Sequence, residues 1–191
     1  MEISQSLRKA VKASRQRGFT LIETMVSILI LTIGLVGTAA LMSNSVNMGA
    51  HARYVSTAAL LASEKMEDLD RFPDNDPNLT PGGSLGADIT GYSDSVQIST
   101  ANGNINEVTT ANGVTTLYTQ KPDGTVVVTS GAGLPAVTPD MLTYDRRWLI
   151  TASPTVGPNV ITGAVQITVL VTLTNQALKP AVTYQTSLVH P

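Results

Sequence analysis

Two hydrophobic patterns divide the chain. From Thr24 to Ala50 no residue is charged, and Met25 to Met42 reads MVSILILTIGLVGTAALM. A helix rises ~1.5 Å per residue and needs about 20 apolar residues to cross a bilayer. The stretch 19–42 has that length and is expected to be a membrane-spanning helix. Beyond it, residues 51–72 keep apolar side chains at Val55, Ala58, Ala62, Met66 and Leu69. Steps of three and four residues predict an amphipathic helix with one buried stripe. Glu67 and Arg71 are spaced for an i,i+4 ion pair, and Phe72-Pro73 ends the pattern. Phe19 to Arg71 is therefore read as one helix of roughly 80 Å, the first half in lipid and the second under a head domain.

The pattern then changes period. Residues 73–93 are dense in Pro, Gly, Asp and Asn and read as a connecting loop. Short strand-like segments follow at 96–100, 106–110, 115–120 and 125–130. The pairs Asn102-Gly103, Asn112-Gly113 and Asp123-Gly124 mark hairpin turns between them. Two longer strands come next. In 141–151 one face holds Leu142, Tyr144, Arg146, Trp148 and Ile150. In 164–174 one face holds Val165, Ile167, Val169, Val171 and Leu173, opposite Gln166, Thr168, Leu170, Thr172 and Thr174. Residues 181–189 suit a final strand. Such alternation predicts an antiparallel sheet with one face on the helix, hence an α+β fold. The expected divisions are 1–18, 19–42, 43–72, 73–93 and a β-rich head over 94–191.

Charge and composition sharpen this picture. Residues 1–18 carry Arg8, Lys9, Lys12, Arg15 and Arg17 against Glu2 alone, although the whole chain has a net charge of −2. A basic end before an apolar run marks the cytoplasmic side, giving an N-in, C-out orientation. No aromatic residue interleaves these basic ones, so no nucleic-acid surface is expected. There is no cysteine in the 191 residues, which removes disulfides, thiolate metal sites and a cysteine nucleophile. His51 and His190 sit in no triad or metal spacing. Asp74, Asp76 and Asn78 imitate the start of a calcium loop. The sixth position is Leu79 and the twelfth Leu85, so the loop chemistry fails. These side chains are expected to serve turns. Neither a metal, nor a cofactor, nor a catalytic residue is expected, and the chain is not read as an enzyme.

Three readings of the apolar segment compete. A secretory signal peptide has an apolar region of roughly 7–15 residues; Thr38-Ala39-Ala40 would suit cleavage, but the run is too long. A plain membrane anchor has the right length but gives no reason for Glu23. A lone carboxylate in an apolar segment costs several kcal/mol unless a cation meets it. The third reading follows from a short motif. Arg17-Gly18-Phe19-Thr20-Leu21-Ile22-Glu23 resembles the signal of type IV prepilins and type II secretion pseudopilins. The resemblance implies cleavage between Gly18 and Phe19 by a membrane-embedded aspartyl peptidase. The same enzyme would N-methylate Phe19. Glycine lacks a Cβ to obstruct a protease approaching through the backbone. The new ammonium and Glu23 then lie one helical turn apart. The resemblance implies that Glu23 serves subunit assembly by pairing with a neighbour's amine, fixing axial register. The alternative is an unpartnered carboxylate at the interface.

Two further segments narrow the resemblance. Leu60-Leu61-Ala62-Ser63-Glu64-Lys65-Met66-Glu67-Asp68-Leu69 and Tyr144-Asp145-Arg146-Arg147-Trp148-Leu149-Ile150 are similar to segments of PilV-type minor pilins and related GspI-type pseudopilins. Major pilins often carry a mid-helix proline, where this chain has Thr38 to Leu41 after the weakening glycines Gly34 and Gly37. The resemblance implies a pilin-like fold and a minor subunit of a type IV pilus. Its partners would be the prepilin peptidase/methyltransferase, other minor and major pilins, an inner-membrane assembly platform and membrane lipid. The head would stand in the periplasm before entering a fibre that serves motility, adhesion or DNA uptake. A type II secretion pseudopilin and a plain anchored binding domain are the alternatives. Trp148 is expected to anchor the core. Arg146 and Arg147 are expected on a strand face, either solvated or meeting a neighbour's Glu64, Glu67 and Asp68.

Overall fold

A computed structural model describes residues 19–73, 76–111, 113–175 and 181–190. The leader 1–18, with Gly18, lies outside the described residues, as do Asp74 and Asn112. Helix α1 runs from Leu21 to Asp70 without a break. The chain divides into two compact units, up to Val46 and from Asn47 onward.

In the first unit the helix is exposed throughout, and an 18-residue window of α1 reaches a mean hydropathy of 2.3 with none of it buried. Its hydroxyls are satisfied internally. Thr24 Oγ1 donates to Leu21 O at 2.8 Å, Thr32 Oγ1 to Ile28 O at 2.7 Å, and Thr38 Oγ1 to Leu35 O at 3.0 Å. A lipid-facing hydroxyl needs such a partner, because hydrocarbon supplies none. A Cβ on Gly34 or Gly37 would meet no atom within 4 Å. Nothing inside the chain therefore requires glycine at either position.

In the second unit the rest of α1 packs on a sheet. Ala58, Leu61, Ala62, Met66 and Leu69 are its buried residues, the expected stripe with Leu61 added and Val55 only partly buried at its margin. Ala58 and Ala62 lie one turn apart, and their small side chains let the helix approach the sheet closely. Glu67 and Arg71 form the expected pair at 2.9 Å. Both are well exposed, so the pair contributes little. The helix stops at Asp70, just before Phe72-Pro73.

Asp76 caps a short 3₁₀ turn, Pro77–Leu79, by accepting from the Asn78 N–H at 2.9 Å. That is the turn chemistry expected of these residues. Strand β1 (Gly82–Gly83) follows, then β2 (Ser93–Ser99), β3 (Ile105–Ala111), β4 (Val114–Gln120) and β5 (Val126–Ser130). Next come β6 (Met141–Ala152), a small hairpin of β7 (Thr155–Val156) and β8 (Asn159–Val160), then β9 (Val165–Leu173) and β10 (Thr183–His190). The main sheet has the order β10-β9-β6-β2-β3-β4-β5, and every neighbouring pair is antiparallel.

Gly103, Gly113 and Gly124 hold φ of +72°, +77° and +83°. Each supplies the left-handed residue that the hairpin turns demand. Within the stretch read as a loop, β1 pairs with β6 at Gly82–Ile150 and Gly83–Leu149. A Cβ on Gly83 would lie 2.2 Å from the Trp148 carbonyl oxygen, so only glycine fits there. Periodicity does not reveal a two-residue strand of glycines. Leu79, from the same stretch, is buried in the core.

The helix-facing side of the sheet carries Val96, Tyr144, Trp148, Ile150, Val169 and Val171, all buried. These are the faces expected from the two long strands. The arrangement is a pilin-like α+β fold: a long apolar N-terminal helix with its C-terminal part packed on an antiparallel sheet.

Candidate functional site

The first site is the start of the helix. Phe19 and Thr20 precede it and are exposed. Thr20 Oγ1 accepts from the Glu23 N–H at 3.3 Å, and the Thr20 carbonyl accepts from the N–H groups of Glu23 and Thr24 at 3.0 and 3.2 Å. Thr20 is thus the N-cap, satisfying a backbone donor that the first turn leaves open. Thr20-Leu21-Ile22-Glu23 has the spacing of a capping box. The pattern was present in the sequence but was overshadowed there by the cleavage motif that overlaps it. Glu23 also sits where the helix dipole favours a negative charge. Its side chain is exposed, within reach of partners outside the chain.

The second site is a buried charge cluster in the head. Arg146 on β6 is only 1% exposed. Its Nε donates to Asp94 Oδ1 at 2.6 Å and its Nη2 to Asp94 Oδ2 at 2.9 Å; it also pairs with Glu107 on β3. Lys65, from α1, reaches Asp94 Oδ2 at 3.0 Å and lies 4.2 Å from the centre of the Trp148 ring. One carboxylate therefore joins the helix to the sheet, with an aromatic face beneath the ammonium.

Burial alone would lower the pKa of Arg146, but the Asp94 and Glu107 carboxylates outweigh it and hold the guanidinium above its ordinary value. This corrects the expectation for Arg146. It is neither a solvated strand-face charge nor available to a neighbour, because its own chain consumes it. Its position between Tyr144 and Trp148 on an apolar face was the signal. A buried guanidinium demands carboxylates, yet the residues that supply them lie 52 and 39 positions away. Arg147 points to the other face and pairs with Asp88 at 2.6 Å. Trp148 is the core anchor expected.

Glu64 lies beside this cluster and is only partly shielded from solvent. Burial raises its carboxyl above the ordinary value; Arg146 opposes the rise, while Glu107, Asp68 and Asp94 add to it. The folded chain then binds this proton more readily than the unfolded chain does. Stability is lost as pH rises from the ordinary carboxylate value through the raised one. Glu64→Gln is accordingly expected to melt at a higher temperature than the parent at pH 7. The gap should close as pH falls below the ordinary carboxylate range. Melting curves followed over about pH 3–8 check this; equal midpoints at pH 7 would contradict it.

Among the described residues, no group of three or more His, Asp or Glu side chains is placed to hold a metal ion.

Comparison with known proteins bears on the first site. Residues 13–39 match the prokaryotic N-terminal methylation motif. No curated protein and no solved structure matches the chain. The match spans Arg15 and Arg17 of the basic approach, the Gly18-Phe19 junction, Glu23 and much of the apolar helix. It implies processing by a prepilin peptidase and assembly with other pilins, and it is consistent with anchoring in the inner membrane. It points to a structural subunit rather than an enzyme. A prepilin-type N-terminus on a pilin-like α+β fold supports a type IV pilin- or pseudopilin-type protein.

Proposed function

We propose that the chain is a minor pilin of a type IV pilus that helps initiate fibre assembly, and so serves motility, adhesion or DNA uptake. The leader 1–18 is removed after Gly18, and Phe19 becomes the N-methylated first residue. Residues 19–42 hold the subunit in the inner membrane, N-in and C-out, with residues 94–191 as a periplasmic head. Glu23 meets the amine of a neighbouring subunit as the fibre forms.

The single observation that carries this reading is Glu23. It is the only charged residue between Phe19 and Ala50, and it stands one turn from the amine that cleavage would create. A membrane anchor gains nothing from that carboxylate, whereas a fibre subunit gains a partner-dependent ion pair. The mid-helix stretch without proline and the segments 60–69 and 144–150 favour a minor subunit over the bulk one.

A type II secretion pseudopilin is the second reading, because the same motif serves both systems. Neighbouring genes separate them, through the secretion ATPase and secretin of one system or the other. N-terminal sequencing with mass spectrometry tests the processing step. The mature chain is expected to start at N-methyl-Phe19. A start near Leu41 would instead identify a secretory signal peptide and sink the proposal.

A further inference from the structure

The sheet ends on one side in β5, and nothing in the described chain covers it. All five residues of β5 are exposed, with Val126, Val127 and Val128 at 53%, 42% and 57%. Three consecutive valines exposed on both faces are costly in water. Natural edge strands usually carry Lys, Pro or an inward charge that blocks further pairing. β5, reading VVVTS, has none.

The backbone register shows what the edge offers. Lys121 N–H donates to Thr125 O, and Gly131 N–H donates to Thr115 O. Hydrogen-bonded and non-bonded pairs alternate along an antiparallel ladder. Thr119–Val127 and Leu117–Thr129 are therefore the bonded pairs. The N–H and C=O groups of Val126, Val128 and Ser130 point away from β4, into solvent.

The opposite edge, β10, has the same character. Leu173 N–H donates to Val182 O, so alternation leaves Thr183, Gln185, Ser187 and Val189 facing outward. None of these four is charged. Six antiparallel steps separate β10 from β5, so the two edges run in the same direction.

The geometry points to a head-to-head contact in which β5 of one copy pairs, in parallel, with β10 of a second copy of this chain. The choice of β10 as the occupant rests on the fibre reading above, in which every copy enters the membrane with its helix in one direction. Antiparallel β5–β5 pairing relates two copies by a two-fold axis normal to the sheet. That axis would reverse the part of α1 packed along the sheet, so the helices of the two heads would run in opposite directions. Pairing β5 with β10 keeps both copies upright. It is also heterologous, leaving a free β5 and a free β10 at its ends. A contact of that kind extends a helical array instead of closing a dimer. An assembly-initiating complex would then hold more than one copy of this subunit, joined through the heads as well as the helices.

The absence of cysteine makes a clean test. Val128 shares a sheet face with the even-numbered residues of β10, so full-length chain carrying both V128C and T186C is treated in its own membranes with a short bifunctional thiol reagent. Dimers and higher multiples are expected, and neither single variant should cross-link. Val126 offers an outward N–H, so V126P breaks no bond of the β4–β5 ladder. Added to the double variant, it is expected to reduce cross-linking at least tenfold with an unchanged melting temperature. Failure of the double variant to cross-link would overturn the contact, as would cross-linking by V128C alone, which reports β5–β5 pairing. The N-terminus is sequenced on the same sample. A start at Phe19 without cross-links sinks the edge contact and leaves the pilin reading standing. Cross-links on a chain that starts elsewhere do the reverse.

Discussion

Asp94→Ala is expected to destabilise the head by about 3–5 kcal/mol, the usual cost of removing one partner from a buried ion pair. The large effect follows from what is left behind. Arg146 would keep only Glu107, and Lys65 would lose the carboxylate it meets at 3.0 Å. Two cations would then be short of partners within one apolar interface. Trp148 is the single tryptophan and lies against Lys65, so its fluorescence reports this site directly. Denaturant unfolding of the full chain in detergent checks the prediction; a loss under ~1 kcal/mol would mean that water reaches the cluster. The comparison with K65M/D94L/R146M separates two causes. Apolar replacement of a whole buried cluster is often neutral or stabilising. The triple variant is therefore expected to recover most of the stability that Asp94→Ala loses. Glu107, at the partly exposed edge of the cluster, can turn to water. If the triple variant is as unstable as the single one, specific ionic geometry holds the helix on the sheet, and relief of unpaired charge is not the explanation.

Glu23→Leu is expected to remove the chain from fibres while leaving it in the membrane. The substitution makes the helix more apolar, so insertion should not suffer, and the Gly18-Phe19 junction is unchanged. What disappears is the proposed partner for the amine of a neighbouring subunit. In lipid an unmatched ammonium is costly, so the fibre-associated fraction should fall at least tenfold, about 1.4 kcal/mol in the assembly equilibrium. Sheared-fibre and membrane fractions, quantified separately, give the readout. Equal incorporation of Glu23→Leu and the parent would show that the carboxylate only caps the helix. Thr20→Val helps to distinguish these roles. It removes the capping hydroxyl, costs about 1 kcal/mol of helix stability at most in this exposed position, and should spare incorporation. A cap-only role for Glu23 predicts the opposite ranking of the two variants.

The elements of the fold were legible because each obeys a local rule. Helix α1 carries an uncharged run and then a three- and four-residue stripe; the strands alternate with a period of two. Hairpins sit at Asn-Gly and Asp-Gly because those turns need positive φ. The N-terminal methylation motif was legible for the same reason: residues 13–39 form one contiguous segment. Thr20 was legible in principle, since a cap is recognised by spacing alone.

The other features depend on residues brought together from far apart. β1 exists because Gly83 can pass close to the Trp148 carbonyl and Gly82 close to the Tyr92 ring, and neither glycine carries a pattern. Arg146 looked like a candidate for a neighbour because its alternation placed it on a face without saying what that face meets. Only the packed structure puts Asp94, Glu107 and Lys65 around it. The exposure of β5 likewise depends on strand order, since an equally apolar strand at the sheet centre would be buried. The helix, the strands and the charged start of the apolar segment follow from the order of residues alone, because local periodicity and spacing carry that information. Tertiary structure alone decided which charges are spent inside the head and which edge remains open, because pairing between distant residues leaves no local trace.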